Sequence, residues 1–292
     1  METQILQNKI DFTALVTVTR ANSNGDPLNG NRPRETFEGY GEISDVAIKR
    51  KIRNRLQDMG ERIFVQMEER SDDGCGSLKE RASSCERLET EIKKGKKADK
   101  DICSQIACEE WLDVRAFGQV FAFKGVEVSL GIRGPVSIHS AFSVDPIDIE
   151  SIQITKSVNG EDTKGKESQK ASDTMGEKHR VRFGLYVIKG SINCQLAEKT
   201  GFTGEDADKI KEALLTLFEN DCSSARPDGS MVVQKVYWWK HNCKSGQYSS
   251  AKVHGSLKVS LKEGINLPNS FADYEVRVEE LPGLEPEVID GK

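Results

Sequence analysis

Apolar and polar positions alternate cleanly over positions 11–19, with Phe12, Ala14, Val16 and Val18 on one side. A period of two in residues of high β-propensity predicts a half-buried strand. Positions 22–34 then run Asn-Ser-Asn-Gly-Asp-Pro-Leu-Asn-Gly-Asn-Arg-Pro-Arg, turn chemistry that excludes a helix or a central strand. The spacing Ile48, Ile52, Leu56 predicts a helix over 44–59, capped by Ser44 with Asp45 in its first turn. The pattern degrades over 60–100, where Asp72-Asp73-Gly74-Cys75-Gly76 reads as loop and 91–101 is a mixed-charge run, so this stretch reads as a partly helical insertion. A helix over 104–120 carries Ile106, Trp111, Val114 and Phe117, and strands follow over 126–133, 136–144 and 147–158.

Between Val158 and Val181 the only apolar side chains are Ala171 and Met175, so 159–180 is functional or disordered rather than core. Periodicity returns in a strand over 183–196, with Gly190 as a turn or bulge. A helix over 203–219 follows, capped by Thr203 with Asp206 three residues on, and buries Ala207, Ile210, Leu214, Leu217 and Phe218. Strands over 231–241, 252–261 and 271–279 close the pattern. Adjacent strands and irregular alternation with helices point to an α+β fold with an antiparallel sheet.

Composition narrows the class. Of 292 residues, 36% are hydrophobic, and no run approaches the roughly 18 apolar residues of a membrane span. The start, Met1-Glu2-Thr3-Gln4, lacks the basic and apolar regions of a secretory signal. Seven scattered cysteines (Cys75, Cys85, Cys103, Cys108, Cys194, Cys222, Cys243) without C-x-x-C read as free thiols in a reducing cytoplasm rather than as zinc ligands. The net charge is −5, and positions 273–292 alone hold seven acids and two bases. The rest is neutral overall, so local patches decide what it binds.

Glycine-rich phosphate loops and H-E-x-x-H are absent, and His139, His179, His241 and His254 lie far apart in sequence, so any cluster of them is assembled by the fold. Asp26 and Asp45 could place a metal or a base beside RNA, but an Asx turn and a helix start account for both. The strongest positive signal is Lys49, Arg50, Lys51, Arg53 and Arg55, five bases within seven positions and no acid among them. The run follows a loop holding Arg32 and Arg34. Bases lacking i, i+4 acidic partners on the helix suit phosphates.

Several stretches carry a resemblance. Asn24-Gly25-Asp26-Pro27, Gly30-Asn31-Arg32-Pro33-Arg34 and Asp45-Val46-Ala47-Ile48-Lys49-Arg50-Lys51-Ile52-Arg53-Asn54 come first. Asp113-Val114-Arg115-Ala116-Phe117-Gly118, Arg133-Gly134-Pro135-Val136, Ser143-Val144-Asp145-Pro146 and Met175-Gly176-Glu177-Lys178-His179 come next. Tyr186, Ala197-Glu198-Lys199-Thr200-Gly201-Phe202, Phe218-Glu219-Asn220-Asp221 and Ser270-Phe271-Ala272-Asp273-Tyr274 complete the series. In this order they resemble the CRISPR-associated, crRNA-binding backbone subunit of the type I-C Cascade complex, a RAMP-superfamily protein, over roughly positions 8 to 280 by the same reading of motifs.

The resemblance implies one domain over 1–292: an RNA-recognition-motif-like (ferredoxin-like) palm with an antiparallel sheet, a helical finger insertion at 60–103, a thumb hairpin at 156–181 and an acidic C-terminal strand and tail at 273–292. It implies a non-catalytic, cytoplasmic subunit without cofactor or metal. Copies would polymerise along crRNA without reading its sequence and present the guide in segments. The implied partners are crRNA, the target DNA strand paired to it, further copies of the chain, a large subunit and a crRNA-processing subunit, with no membrane. The expected RNA-binding residues are Asn24, Arg32, Arg34, Lys49, Arg50, Arg53, Met175, Lys178 and His179. Lys49 and Arg53, at i and i+4, are expected to aim outward at phosphates, and Met175 to wedge between bases. A metal-dependent ribonuclease of the same superfamily is the alternative. Two departures from the pattern are an acid, Glu177, where a base is expected, and a cysteine- and acid-rich finger.

Overall fold

A computed structural model describes residues 4–123, 129–155 and 175–292, and of Met175 the backbone alone. β1 (Ile10–Ala21) leads into a small hairpin of β2 (Gly25–Asp26) and β3 (Arg32–Pro33), then β4 (Tyr40–Ile43) and α1 (Asp45–Asp58). Four helices follow: α2 (Leu78–Ser84), α3 (Glu86–Ile92), α4 (Lys100–Glu110) and α5 (Leu112–Phe117). Next come β5 (Gly118–Phe121), β6 (Leu130–Arg133), β7 (Val136–Ile138), β8 (Ala141–Pro146), β9 (Ile149–Thr155) and the long β10 (Met175–Ile192). The last elements are α6 (Cys194–Thr200), α7 (Gly204–Leu215), β11 (Met231–Lys240), α8 (Ser250–Ser256), β12 (Leu257–Leu261), β13 (Tyr274–Val278) and β14 (Glu287–Asp290). The mixture of helices with an antiparallel sheet is the one the alternation of patterns predicts.

The main sheet runs β14-β11-β1-β10-β8-β4, with β7 and β9 also on β10. Its strand pairs are antiparallel, and β1 is central, with Val16 opposite Tyr186 on one side and Ala14 opposite Val236 on the other. The expectation of a half-buried β1 is corrected: from Ile10 to Val18 every residue is buried. Phe12, Ala14, Val16 and Val18 pack under α1 and α7 with Ile48, Ile52, Leu56, Ile210 and Leu214. Leu15 faces a second layer with Tyr237, Trp239, Val253, Leu257 and Tyr274. A sheet covered on both faces buries both halves of the alternation, so period two no longer marks a wet side.

Gly190 is neither turn nor bulge. It lies in the regular pairing of β10, opposite Phe12, and a Cβ there would sit 2.2 Å from Phe12 Cζ. The glycine makes room for the ring; the register shift lies between Leu15 and Val16 against β11. The strand expected over 252–261 is half helix, since Ser249 caps α8 by accepting from Lys252 N, and Val253 carries that helix into the second layer. The strand expected over 183–196 ends at Ile192, where Asn193 caps α6.

A separate core forms around Phe64, Leu88, Cys103, Ile106, Trp111, Val114, Phe121 and Leu130. The helix expected over 104–120 is two helices. Asp99 starts α4 by accepting from Asp101 N and Ile102 N. Trp111 then takes an extended backbone (φ −126, ψ 122) that separates α4 from α5. Its ring lies 4.7 Å from that of Phe64, a packing gain that outweighs one more helical turn. Burial pushes the Cys108 thiol up to about 11, which makes it inert as a nucleophile. Of the segment expected as a thumb, positions 156–174 lie outside the described residues, as do 126–128 of the expected strand 126–133. Positions 175–181 belong to β10 and pair with β9 from Met175–Thr155 to Val181–Ile149.

Gly190→Ala is expected to cost about 1–3 kcal/mol through the forced shift of Phe12. Urea denaturation reads it as a lower midpoint at unchanged slope, and an unchanged midpoint would show that the ring yields freely.

Candidate nucleic-acid interface

The basic run occupies α1 as the spacing predicts, and Ser44 caps it by accepting from Ala47 N. Its bases, however, have partners, which corrects the expectation of bases free for phosphate. Lys49 Nζ lies 3.0 Å from Asp45 Oδ2. Lys51 is buried against Asp221, and burial lowers its pKa. Arg50 Nη1 donates to the Val65 carbonyl at 2.6 Å, and burial, with Arg53 beside it, lowers its pKa too. Arg55 bonds Thr216 Oγ1 at 2.7 Å and Glu219 Oε2 at 2.7 Å.

Arg53 departs furthest from its expected outward aim. Its side chain is 13% exposed, and its Nε donates at 2.8 Å to Oδ2 of Asp113, which is fully buried. The guanidinium lies 5.1 Å from the Phe117 ring centre. Asp113 also accepts from Phe64 N at 2.6 Å and Val65 N at 3.1 Å. The acids that engage Lys51 and Arg53 stand 170 and 60 residues away in sequence, out of reach of any i, i+4 inspection.

A different set of cations gathers at one end of the sheet. There the end of β1 meets β10, with Ala21 opposite Val181. Arg20 is exposed there, in a left-handed backbone (φ 50), without a partner among the described residues. Lys178 donates to the Ser224 carbonyl. Arg32 donates through Nη1 to Ser151 Oγ at 3.0 Å and faces His179 Nδ1 at 3.3 Å. These three bases meet only neutral acceptors or solvent among the described residues. Arg34, on the same hairpin, lies 3.5 Å from Asp26.

Asn24 joins this hairpin to α1: its Oδ1 accepts from Ser44 N and Ser44 Oγ, each at 2.9 Å, while its carbonyl accepts from Arg34 N at 2.9 Å. The structure thus brings Arg32 and His179 together, sets Lys178 next to them on β10 but on the opposite face, ties Asn24 and Arg34 to the same hairpin as Arg32, and sets Arg50 and Arg53 against the second core. For Met175 it gives only a backbone place at the start of β10. Sequence reasoning missed Arg20 and Ser151. Ser151 becomes visible only through the β9–β10 register, which sets it opposite His179.

The acids nominated for catalysis have the local roles that turn and helix chemistry assign. Asp26 Oδ1 accepts from Leu28 N at 3.1 Å, and Asp45 pairs with Lys49. Among the described residues no group of three or more His, Cys, Asp or Glu is placed to hold a metal ion. The fold does assemble histidines. His241 Nε2 lies 2.8 Å from Asp11 Oδ2 in full burial, and its Nδ1 accepts from Gln247 N at 2.9 Å. His254 Nε2 donates to the Gly190 carbonyl at 3.0 Å. These bonds tie the end of β11 to β1 and α8 to β10. No helix among the described residues is long and apolar enough to cross a membrane.

The fold places this chain among mixed α/β proteins built on an antiparallel sheet. The family model for CRISPR-associated protein Cas7 matches residues 8–279, and the chain belongs to that family. A curated relative, "CRISPR-associated protein Cas7" of Haloferax volcanii, is 22% identical over 233 residues, covering 74% of this chain. The match spans 66% of that relative's length, just under two thirds. Among solved structures, the chain is similar to a chain of a "CRISPR RNA-guided surveillance complex, pre-nicking", at a TM-score of 0.49 and 16% identity, covering 79% of this chain and 78% of that one. A second, of a "CRISPR RNA-guided surveillance complex", gives a TM-score of 0.45 at 17% identity over 79% and 68%.

Asp113→Ala leaves Arg53 and two backbone amides buried without their acceptor, and is expected to cost about 3–5 kcal/mol. Arg53→Gln, which keeps a donor and part of the stem over Phe117, is expected to cost less. Thermal unfolding of both variants checks the order, and an unshifted Asp113→Ala would remove this pair as the anchor of the second core.

Proposed function

We propose that this chain is the non-catalytic backbone subunit of a type I-C Cascade surveillance complex, binding crRNA along its phosphates and presenting the guide for pairing with target DNA. Membership of the Cas7 family supports the class, and the ordered motifs over positions 8–280 support the subtype. The observation that carries RNA binding is the trio Arg20, Arg32 and Lys178, cations from three strands at one end of the sheet without a carboxylate partner among the described residues. Lys49, part-exposed and held by a single exposed-side pair with Asp45, extends the positive surface onto α1.

In this reading the main sheet with α1 and α7 is an RNA-recognition-motif-like palm and the second core is the finger. Its RNA does not stack on the sheet, as it does in many such domains, because Phe183, Tyr237 and Trp239 are buried under α8 and the β12–β13 hairpin, which contributes Tyr274. Contacts from the sheet's end reach phosphates, which carry no sequence information, as a scaffold for any guide requires. The partners are crRNA, the paired target strand, further copies of the chain, a large subunit and a processing subunit, in the cytoplasm.

The test is co-expression with a CRISPR array, sizing of the co-purified RNA, and RNA affinity at several salt concentrations for two unrelated guides. Replacing Arg20, Arg32 and Lys178 together by Gln is expected to flatten the log–log salt slope by about 2, at about 0.7 per phosphate contact on a single strand. The loss should be equal for both guides. A guide-dependent loss would mean base reading, and an unchanged slope would move the phosphate track elsewhere.

A further inference from the structure

His179 is the histidine at the cation-bearing end of the sheet, with its side chain 7% exposed. Three groups surround it. Arg32 Nη1 lies 3.3 Å from Nδ1, Ser151 Oγ lies 2.9 Å from the same nitrogen, and Glu177 Oε2, on a side chain 70% exposed, lies 3.5 Å from Nε2. A guanidinium has only donors to offer. The ring nitrogen facing it therefore holds a lone pair, and the proton of the neutral ring sits on Nε2, toward Glu177. The imidazole thus acts as an acceptor that pre-orients Arg32, and Arg32 keeps its full positive charge there without a carboxylate.

We propose that Arg32, Ser151 and His179 form a binding site for one phosphodiester group, and that its occupation recruits a proton to His179. This deepens the RNA-binding reading above and rests on it. A phosphodiester is an anion with acceptors only. Seated against Arg32 and His179, with the guanidinium drawn off its 3.3 Å contact with Nδ1, it replaces that nitrogen as the acceptor for Arg32. The Nδ1 lone pair would then face a phosphate oxygen, a repulsive contact in a half-buried setting. Uptake of one solvent proton at Nδ1 turns that contact into a charge-assisted hydrogen bond. Ser151 turns its hydroxyl proton from Nδ1 to the phosphate. Nε2–H stays on Glu177, whose carboxylate offsets the new imidazolium charge. One proton moves from solvent to the ring for each phosphate bound, and no covalent bond other than that N–H forms or breaks.

The acid at position 177, unexpected for a surface that meets RNA, has its role here as the counter-charge of His179. The other charged groups nearby are engaged elsewhere. On β10, Lys178 and Arg180 alternate to the opposite face, where Lys178 meets the Ser224 carbonyl and Arg180 meets Glu150 of β9 at 2.7 Å. On the hairpin, Arg34 faces Asp26.

The experiment measures affinity for two unrelated single-stranded RNAs from about pH 5.5 to about pH 8 at constant ionic strength, spanning the range in which imidazoles take up protons. Calorimetry in two buffers of different ionisation enthalpy counts the protons. The wild-type chain is expected to bind more tightly as pH falls, by up to about ten-fold per pH unit, the limit for one linked proton, with net proton uptake on binding. His179→Gln is expected to remove the pH dependence and to bind at every pH about as the wild type does at the alkaline end. His139→Gln, on an exposed histidine elsewhere, should leave it intact. Arg32→Gln should weaken binding at all pH values and shrink the dependence, which keeps the proposal open to test if His179→Gln fails to fold. A wild-type profile flat in pH, or one that survives in His179→Gln or Arg32→Gln, overturns the proton-linked site while leaving RNA binding in place. Absence of RNA binding by the wild type at every pH overturns the RNA-binding reading itself and the site with it.

Discussion

The buried carboxylate of Asp113 is the constraint on which much of the rest turns. It gathers Arg53 from α1 and the amides of Phe64 and Val65 into one point, all within 3.1 Å. A full charge with no exposure survives only when paired and hydrogen-bonded on this scale. The consequence is geometric: α1 is fixed to the second core by Arg53, and Arg50 adds a bond to the Val65 carbonyl. On the opposite flank Lys51 and Arg55 fix the same helix to Asp221, Thr216 and Glu219. A helix that reads as a strip of free cations is a clamp between three parts of the chain. Its positive residues hold structure, and the candidate ligand surface falls on bases that have no such duty.

The same displacement governs the sheet. With β1 buried on both faces, polar residues such as Asp11, Thr13 and Thr17 lie inside, and Oδ2 of Asp11 is held by Lys9 and His241 at 2.9 and 2.8 Å. Closing the second face removes Tyr237 and Trp239 from solvent and leaves the sheet only its ends and edges for contact. The end beside β2 and β3 is the one where cations stand without a carboxylate partner among the described residues. A surface made from the ends of strands is narrow and built mainly of donors. That suits the regularly spaced phosphates of a strand rather than the edges of its bases.

Local chemistry was legible in the sequence where a short stretch contains its own cause. Ser44 and Thr203 cap the helices they precede, with Thr203 and Asp206 forming a reciprocal box, and Ile48, Ile52 and Leu56 face the core. The antiparallel sheet and the family could be read as well, because many weak motifs in order are jointly specific. What failed depended on partners distant along the chain. Gly190 reads as a turn until Phe12 is placed against it. Residues 252–256 read as strand because Val253 suits either element, and only the second layer decides. The bases of α1 read as free because Asp113 and Asp221 are brought in by the tertiary fold. Ser151 could not be chosen as a site residue before the β9–β10 register put it opposite His179.

Net charge takes on a different meaning once these pairs are known. The acidic C-terminal stretch carries a charge equal to the whole chain's excess, yet it is not a loose anionic tail. β14 pairs along β11 from Glu287–Trp238 to Asp290–Lys235, and Glu287 lies 2.9 Å from Lys211 of α7. An edge strand carrying acids at both ends resists pairing with another strand by repelling like edges. That matters for a subunit proposed to line up head to tail, since such contacts are heterologous and do not close on themselves. An open assembly needs its contacts confined to chosen surfaces and its length limited by something other than the contacts. Charged edges suppress the unspecific route of sheet-to-sheet addition. In the proposed assembly the cations at the far end of β1 would lie against the RNA, and the length of the strand of RNA would then limit the number of copies.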